Sequence, residues 1–132
     1  MKVIYLNYQD EADPMNGATI SNADALVQLL DDRKNEAPFL AELSGDNGYH
    51  IEFGIGGTFA CVQYSRSDGE LPYLVALPPH PHVTSGYVEF LTANTPTPVP
   101  ARNILSFDEL KRIALDFLET GERCLAFSWE PV

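Results

Sequence analysis

The chain has 132 residues, with 19 acids against 8 Lys and Arg and a formal net charge of −11. That length gives a single domain, 1–132, with enough chain to bury a core, and an apolar content of 45% excludes disorder. The charge repels phosphate backbones, which argues against direct nucleic-acid binding, and no stretch is long and apolar enough to span a bilayer.

The excess is uneven: residues 1–60 carry ten acids and three bases, residues 61–132 nine acids and five bases. Such a surface speeds the encounter with a basic protein. Solubility alone is the other reason for it.

MKVIYLNY at the start has one Lys and a short apolar run with no small-residue cleavage site. It reads as a strand over 2–8 and not as a secretory leader, so a cytoplasmic protein is expected. Residues 9–19, polar and broken by Pro14 and Gly17, read as a surface loop. Ser21 then caps a helix, with Asp24 three residues on and Ala23, Leu26, Val27 and Leu30 at helical spacing.

Pro38 restarts the chain as strands. Phe39, Ala41 and Leu43 alternate, and Gly45-Asp46-Asn47-Gly48 makes a turn. Tyr49, Ile51, Phe53 and Ile55 then point one way, and His50, Glu52 and Gly54 the other. Further strands are expected over 58–64, 71–77 and 87–91. Residues 92–103, with alternating prolines, read as an extended, solvent-facing strap.

Ser106 caps a second helix with Glu109 completing a capping box, and Phe107, Leu110, Ala114 and Phe117 form its apolar stripe. Gly121 ends that helix, and Leu125, Phe127 and Trp129 alternate in a last strand. The expected fold is α+β: a mostly antiparallel sheet of about six to seven strands with two helices packed on one face.

Chemical motifs are sparse. Gly54-Ile55-Gly56-Gly57 leads into a strand and not a helix, so it is a hairpin or bulge and not a phosphate loop. His80 and His82 flank a proline in a loop with no third ligand nearby, and no metal is expected there. His50 and Glu52 share a strand face and make the one acid–base pair to weigh; charges on the wet face of a sheet are the ordinary alternative. Cys61 and Cys124 lie in apolar runs and read as buried thiols, with an interstrand disulfide as the alternative.

Taken in order, ISNADALVQLLDD, IGGTFACVQY, the proline stretch, SFDELKRIALDFLETGER and CLAFSW form a pattern. It resembles the first of the immunity-protein families of bacterial polymorphic toxin systems. The most specific piece is Phe117 to Arg123 followed by Trp129, although Cys124 stands where that family commonly has proline.

The resemblance implies a cytoplasmic, non-enzymatic antitoxin without cofactor. It would bind the C-terminal domain of a cognate toxin, a nucleic-acid deaminase or nuclease, and occlude its active site. It implies neither nucleic-acid nor membrane contact, and a monomer or weak dimer. The partner-binding residues expected on this reading are Asp46, Asn47, Tyr64, Asp68, Glu70 and Tyr73, acids and rings close to strand ends. A small α+β enzyme or ligand-binding domain using the His50/Glu52 or His80/His82 regions is the alternative.

Overall fold

The computed structural model describes residues 1–132. In chain order the strands are β1 (Val3–Asn7), β2 (Thr19–Ile20), β3 (Phe39–Gly45), β4 (Tyr49–Gly56), β5 (Phe59–Arg66), β6 (Tyr73–Leu77), β7 (Tyr87–Thr92), β8 (Thr95–Pro100), β9 (Leu105–Ser106) and β10 (Ser128–Pro131). Helix α1 (Ala23–Arg33) lies between β2 and β3, and α2 (Phe107–Thr120) between β9 and β10. The class is α+β, as expected. Neither helix is long and apolar enough to cross a membrane.

The sheet is larger than anticipated. Its main run holds seven strands in the order β10-β6-β5-β4-β3-β1-β2, and β7, β8 and β9 pair off that run to make ten. Every pairing is antiparallel except the single β3–β7 bridge at Phe39 and Leu91.

The largest departure is at 92–103. This segment is not a solvent-facing strap: it turns at Ala93-Asn94 and returns along β7 as β8. Both turn residues have positive φ, 48° and 65°, the hand a two-residue hairpin requires. Pro96, Pro98 and Pro100 face Leu91, Glu89 and Tyr87. These alternate positions turn their backbone nitrogens away from β7, so the missing N–H groups cost the ladder nothing.

Helix α1 is capped by Asn22 and not Ser21. The Asn22 side-chain oxygen accepts the Ala25 N–H at 2.9 Å, and the buried face is Leu26, Leu29, Leu30 and Arg33. Helix α2 matches its sequence signals. The Ser106–Glu109 capping box is formed, and Leu110, Ile113, Ala114, Phe117 and Leu118 are buried. Gly121 closes α2 with φ 73°, and a Cβ there would stand 2.3 Å from the Asn47 amide nitrogen.

The last strand begins later than its alternation suggests. Leu125 is 82% exposed, and the chain enters the sheet only at Ser128, opposite Leu77 of β6. Before that point the Cys124 carbonyl accepts the Trp129 indole N–H at 2.9 Å. Trp129 is thereby folded back toward the core.

Both helices cover one face of the sheet. Between them and the strands lies the main core, which includes Phe53, Tyr64 and Phe117. The opposite face is covered only in part: Phe90 of β7 packs on Leu40, Cys61 and Ile104. Gly54 permits this, since a Cβ on it would lie 2.5 Å from the Phe90 ring. Both cysteines are free and buried, and burial pushes the Cys61 thiol up to about 12.

Candidate functional site

Five of the six residues expected to face a partner gather at one end of the sheet. The β3–β4 turn carries Asp46 and Asn47, the β5–β6 turn carries Asp68 and Glu70, and Tyr73 opens β6. The Ser67 N–H donates to the Gly48 carbonyl at 2.8 Å, which holds the two turns side by side.

Much of this end is occupied by its own bonds. Asn47 donates from its amide to the Gly121 carbonyl at 2.9 Å, latching the turn to the end of α2. Asp68 accepts from the Glu70 N–H and from Arg66, and these contacts, the first above all, hold its carboxyl below the ordinary range. The Tyr73 hydroxyl donates to the Gly69 carbonyl. Asp46 and Glu70 are exposed.

Tyr64 is not at this surface. It is 2% exposed, stacked on Tyr49 at 5.0 Å between ring centres, with Phe117 and Trp129 edge-on at 6.2 and 6.3 Å. Its partner across the ladder is Ile51, which faces the helices, so register sends the Tyr64 ring into the core.

Neither histidine region assembles a reactive pair. His50 lies 3.3 Å from the Ser67 hydroxyl, and Glu52 accepts no hydrogen bond from it. His82 approaches Glu109 at 2.6 Å, bracing the capping box of α2, while His80 stays exposed. No three His, Cys, Asp or Glu side chains converge as a metal would require.

A concave feature that sequence reasoning missed lies on the face away from the helices. A groove of about 300 Å³ runs between β4, β5, β6 and β10 on one side and β8 with the 3₁₀ turn Ala101–Asn103 on the other. Register explains its chemistry. Glu42, Glu52, Gln63, Val75 and Glu130 lie opposite one another in turn across five adjacent strands. All but Glu42 line the groove, joined by Arg102 and Asn103.

The three carboxylates of that row are held differently. Glu130 accepts from Arg102 at 2.8 Å and Asn103 at 3.1 Å. Glu42 accepts from the Tyr8 hydroxyl, whose pKa is pushed up by burial and by that bond, so it stays protonated and donating. Glu52 is half-buried and accepts from nothing; burial, then the opposed Glu42, raise its pKa, and His50 offsets part of this. The only sequence signal for this row was the alternation of His50 and Glu52. It marks the face but not the neighbours.

A buried polar cluster under the helix face is structural. Asp13 accepts from Tyr5 at 2.8 Å, Asn7 at 3.0 Å and Arg33 Nε at 2.9 Å. These bonds tie the acidic loop between β1 and β2 to α1.

The family model for immunity protein Imm1 matches residues 11–131. No curated protein matches the chain. The matched span takes in every element from β2 to β10, both helices and all of the groove lining except Val132. The chain therefore belongs to the Imm1 family of immunity proteins.

Proposed function

We propose that this immunity protein neutralises a toxin domain that acts on nucleic acid, a deaminase or nuclease, by covering its active site and carrying out no reaction itself. The toxin would be the C-terminal domain of a polymorphic toxin, met in the bacterial cytoplasm. The observation that supports this reading is where the charge resides. Burial removes one acid, Asp13, and one base, Arg33, so the whole excess of −11 stays at the surface. A domain that grips a polyanion carries a basic cleft, and a strongly acidic protein competes for that cleft and is steered into it.

The acids of the turn end, Asp46 and Glu70, are placed to set the encounter rate, because exposed rim charges act mainly there. Co-expression with the toxin domain encoded beside the gene tests the reading. Protection of the host is expected, with an association rate that falls as salt rises. Equal killing with and without this protein overturns it.

A further inference from the structure

Arg102 in the groove lining is engaged with Glu130 at the rim, and three other lining residues present acceptor oxygens that no donor of the chain bonds. Glu52 accepts from no group in the chain. Gln63 spends its amide N–H on the Ser65 hydroxyl at 3.0 Å and leaves its carbonyl oxygen free. Asn103, only 4% exposed, donates to the Ala76 carbonyl at 3.4 Å and to Glu130 at 3.1 Å, and its own oxygen has no donor. These three oxygens open on the solvent of a groove of about 300 Å³ with no donor of the chain on them, and a carboxylate among them sets the charge of what fits it.

The fitting group is a cation with several N–H donors on a long, thin stem. Leu40, Val75 and Pro98 give the groove apolar walls against which methylenes can pack. Glu52 and Gln63 lie directly opposite each other on β4 and β5, so their heads stand side by side. A planar guanidinium can bond both at once, and it leaves water more readily than an ammonium does. The rim already shows this chemistry, since the chain's own Arg102 binds Glu130 through Nε at 2.8 Å.

We propose that this groove receives an arginine side chain presented by the toxin domain, with Glu52 and Gln63 holding its guanidinium. The Asn103 oxygen takes a further N–H of the same segment at the other end of the groove. The proposal rests on the toxin-covering reading above. It supplies the buried anchor that exposed charge lacks, because a few desolvated side chains carry most of the energy of an interface.

Two measurements test it on the full chain. In the first, N-acetyl-arginine methylamide is titrated into labelled protein and followed by NMR, with the lysine and citrulline analogues alongside. Millimolar binding is expected, with amide shifts at Glu52, Gln63, Val75 and Asn103 and none with citrulline. E52Q should weaken it about tenfold. Shifts confined to the turns at Asp46 and Asp68, or an unchanged response in E52Q, overturn the groove, and an equal response to lysine overturns arginine.

In the second, E52R, which fills the groove with a like charge, is compared with E70R in co-expression with the toxin domain. Both are checked for an unchanged melting temperature, and E52Q stands in for E52R should the latter not fold. Loss of protection in E52R but not E70R is expected. Protection by wild type and E52R alike overturns the groove and leaves the toxin reading standing. No protection by wild type overturns the toxin reading instead, and the NMR titration then decides the groove by itself.

Discussion

On one side of β4, Ile51, Phe53 and Ile55 are at most 1% exposed beneath the helices; on the other, Glu52 lies half-buried opposite Glu42 with no hydrogen-bond donor. The same eight residues of backbone support both surfaces. The helix face is apolar and closed, with its one deep ion pair fully bonded by Asp13, Arg33, Tyr5 and Asn7. The opposite face is open along a groove in which Glu130 is bonded by Arg102 and Asn103 while Glu52 is not bonded at all. Stability is concentrated on the first, and the second retains charge that folding alone does not require.

The contrast is sharpest in the largest substitution. Phe117 is fully buried between α2 and the Tyr64 ring, and Phe117→Ala should lower the free energy of unfolding by about 4 kcal/mol, read from urea denaturation. The loss should be global, with the transition shifted to lower urea as one unit.

Next comes the ion pair. Asp13→Ala strands the Arg33 guanidinium, whose side chain is 9% exposed, and should cost about 3 kcal/mol. The effect depends on pH in a definite direction. Burial works to raise the Asp13 pKa, but the bonds from Arg33, Asn7, Met15 and Tyr5 prevail and hold it well below the carboxylate range. Its stabilisation is therefore complete above that range and fades as pH falls through the folded value. Urea midpoints of wild type and Asp13→Ala should differ most near neutrality and converge in strong acid.

What could be read in the sequence follows the same division. Helix α2 was legible because its signals are local: Ser106 and Glu109 at one end, Gly121 at the other, and a stripe between them. The faces of β4 were legible from alternation alone. The cap of α1 was misplaced by one residue because Ser21 and Asn22 are both capable caps, and geometry selected the second. The groove was hidden, since it exists only once β8 folds back over the sheet and registers align Glu42, Glu52, Gln63 and Glu130. Tyr64 was placed at the surface for the same reason: its direction is fixed by pairing with Ile51, a long-range fact.

A smaller effect should mark the open face. Phe90 is fully buried, but its cluster has just three other buried members, Leu40, Cys61 and Ile104, and is otherwise ringed by half-exposed side chains such as Tyr8, Val88 and Val99. Phe90→Ala should cost about 2 kcal/mol, less than the main-core truncation, because the hairpin can detach without unfolding the sheet. Amide exchange tests this directly: protection should fall over Tyr87–Pro100 and persist in β4 and β5.

The smallest effect reverses sign. Replacing Glu52 with Gln keeps its shape and removes one of two carboxylates facing each other across β3 and β4, so Glu52→Gln should stabilise the fold by about 0.5 kcal/mol at neutral pH. Burial, and then Glu42, raise the Glu52 pKa in the folded chain. Ionised Glu52 thus weakens the fold above its folded pKa, and the penalty vanishes below the ordinary glutamate value. The advantage of Glu52→Gln should accordingly shrink as the pH is lowered through that window, measured as a difference in melting temperature between variant and wild type so that Asp13 cancels. A variant that is more stable yet binds the arginine probe less well separates the two faces: on this side of the sheet the charge serves recognition at the expense of the fold.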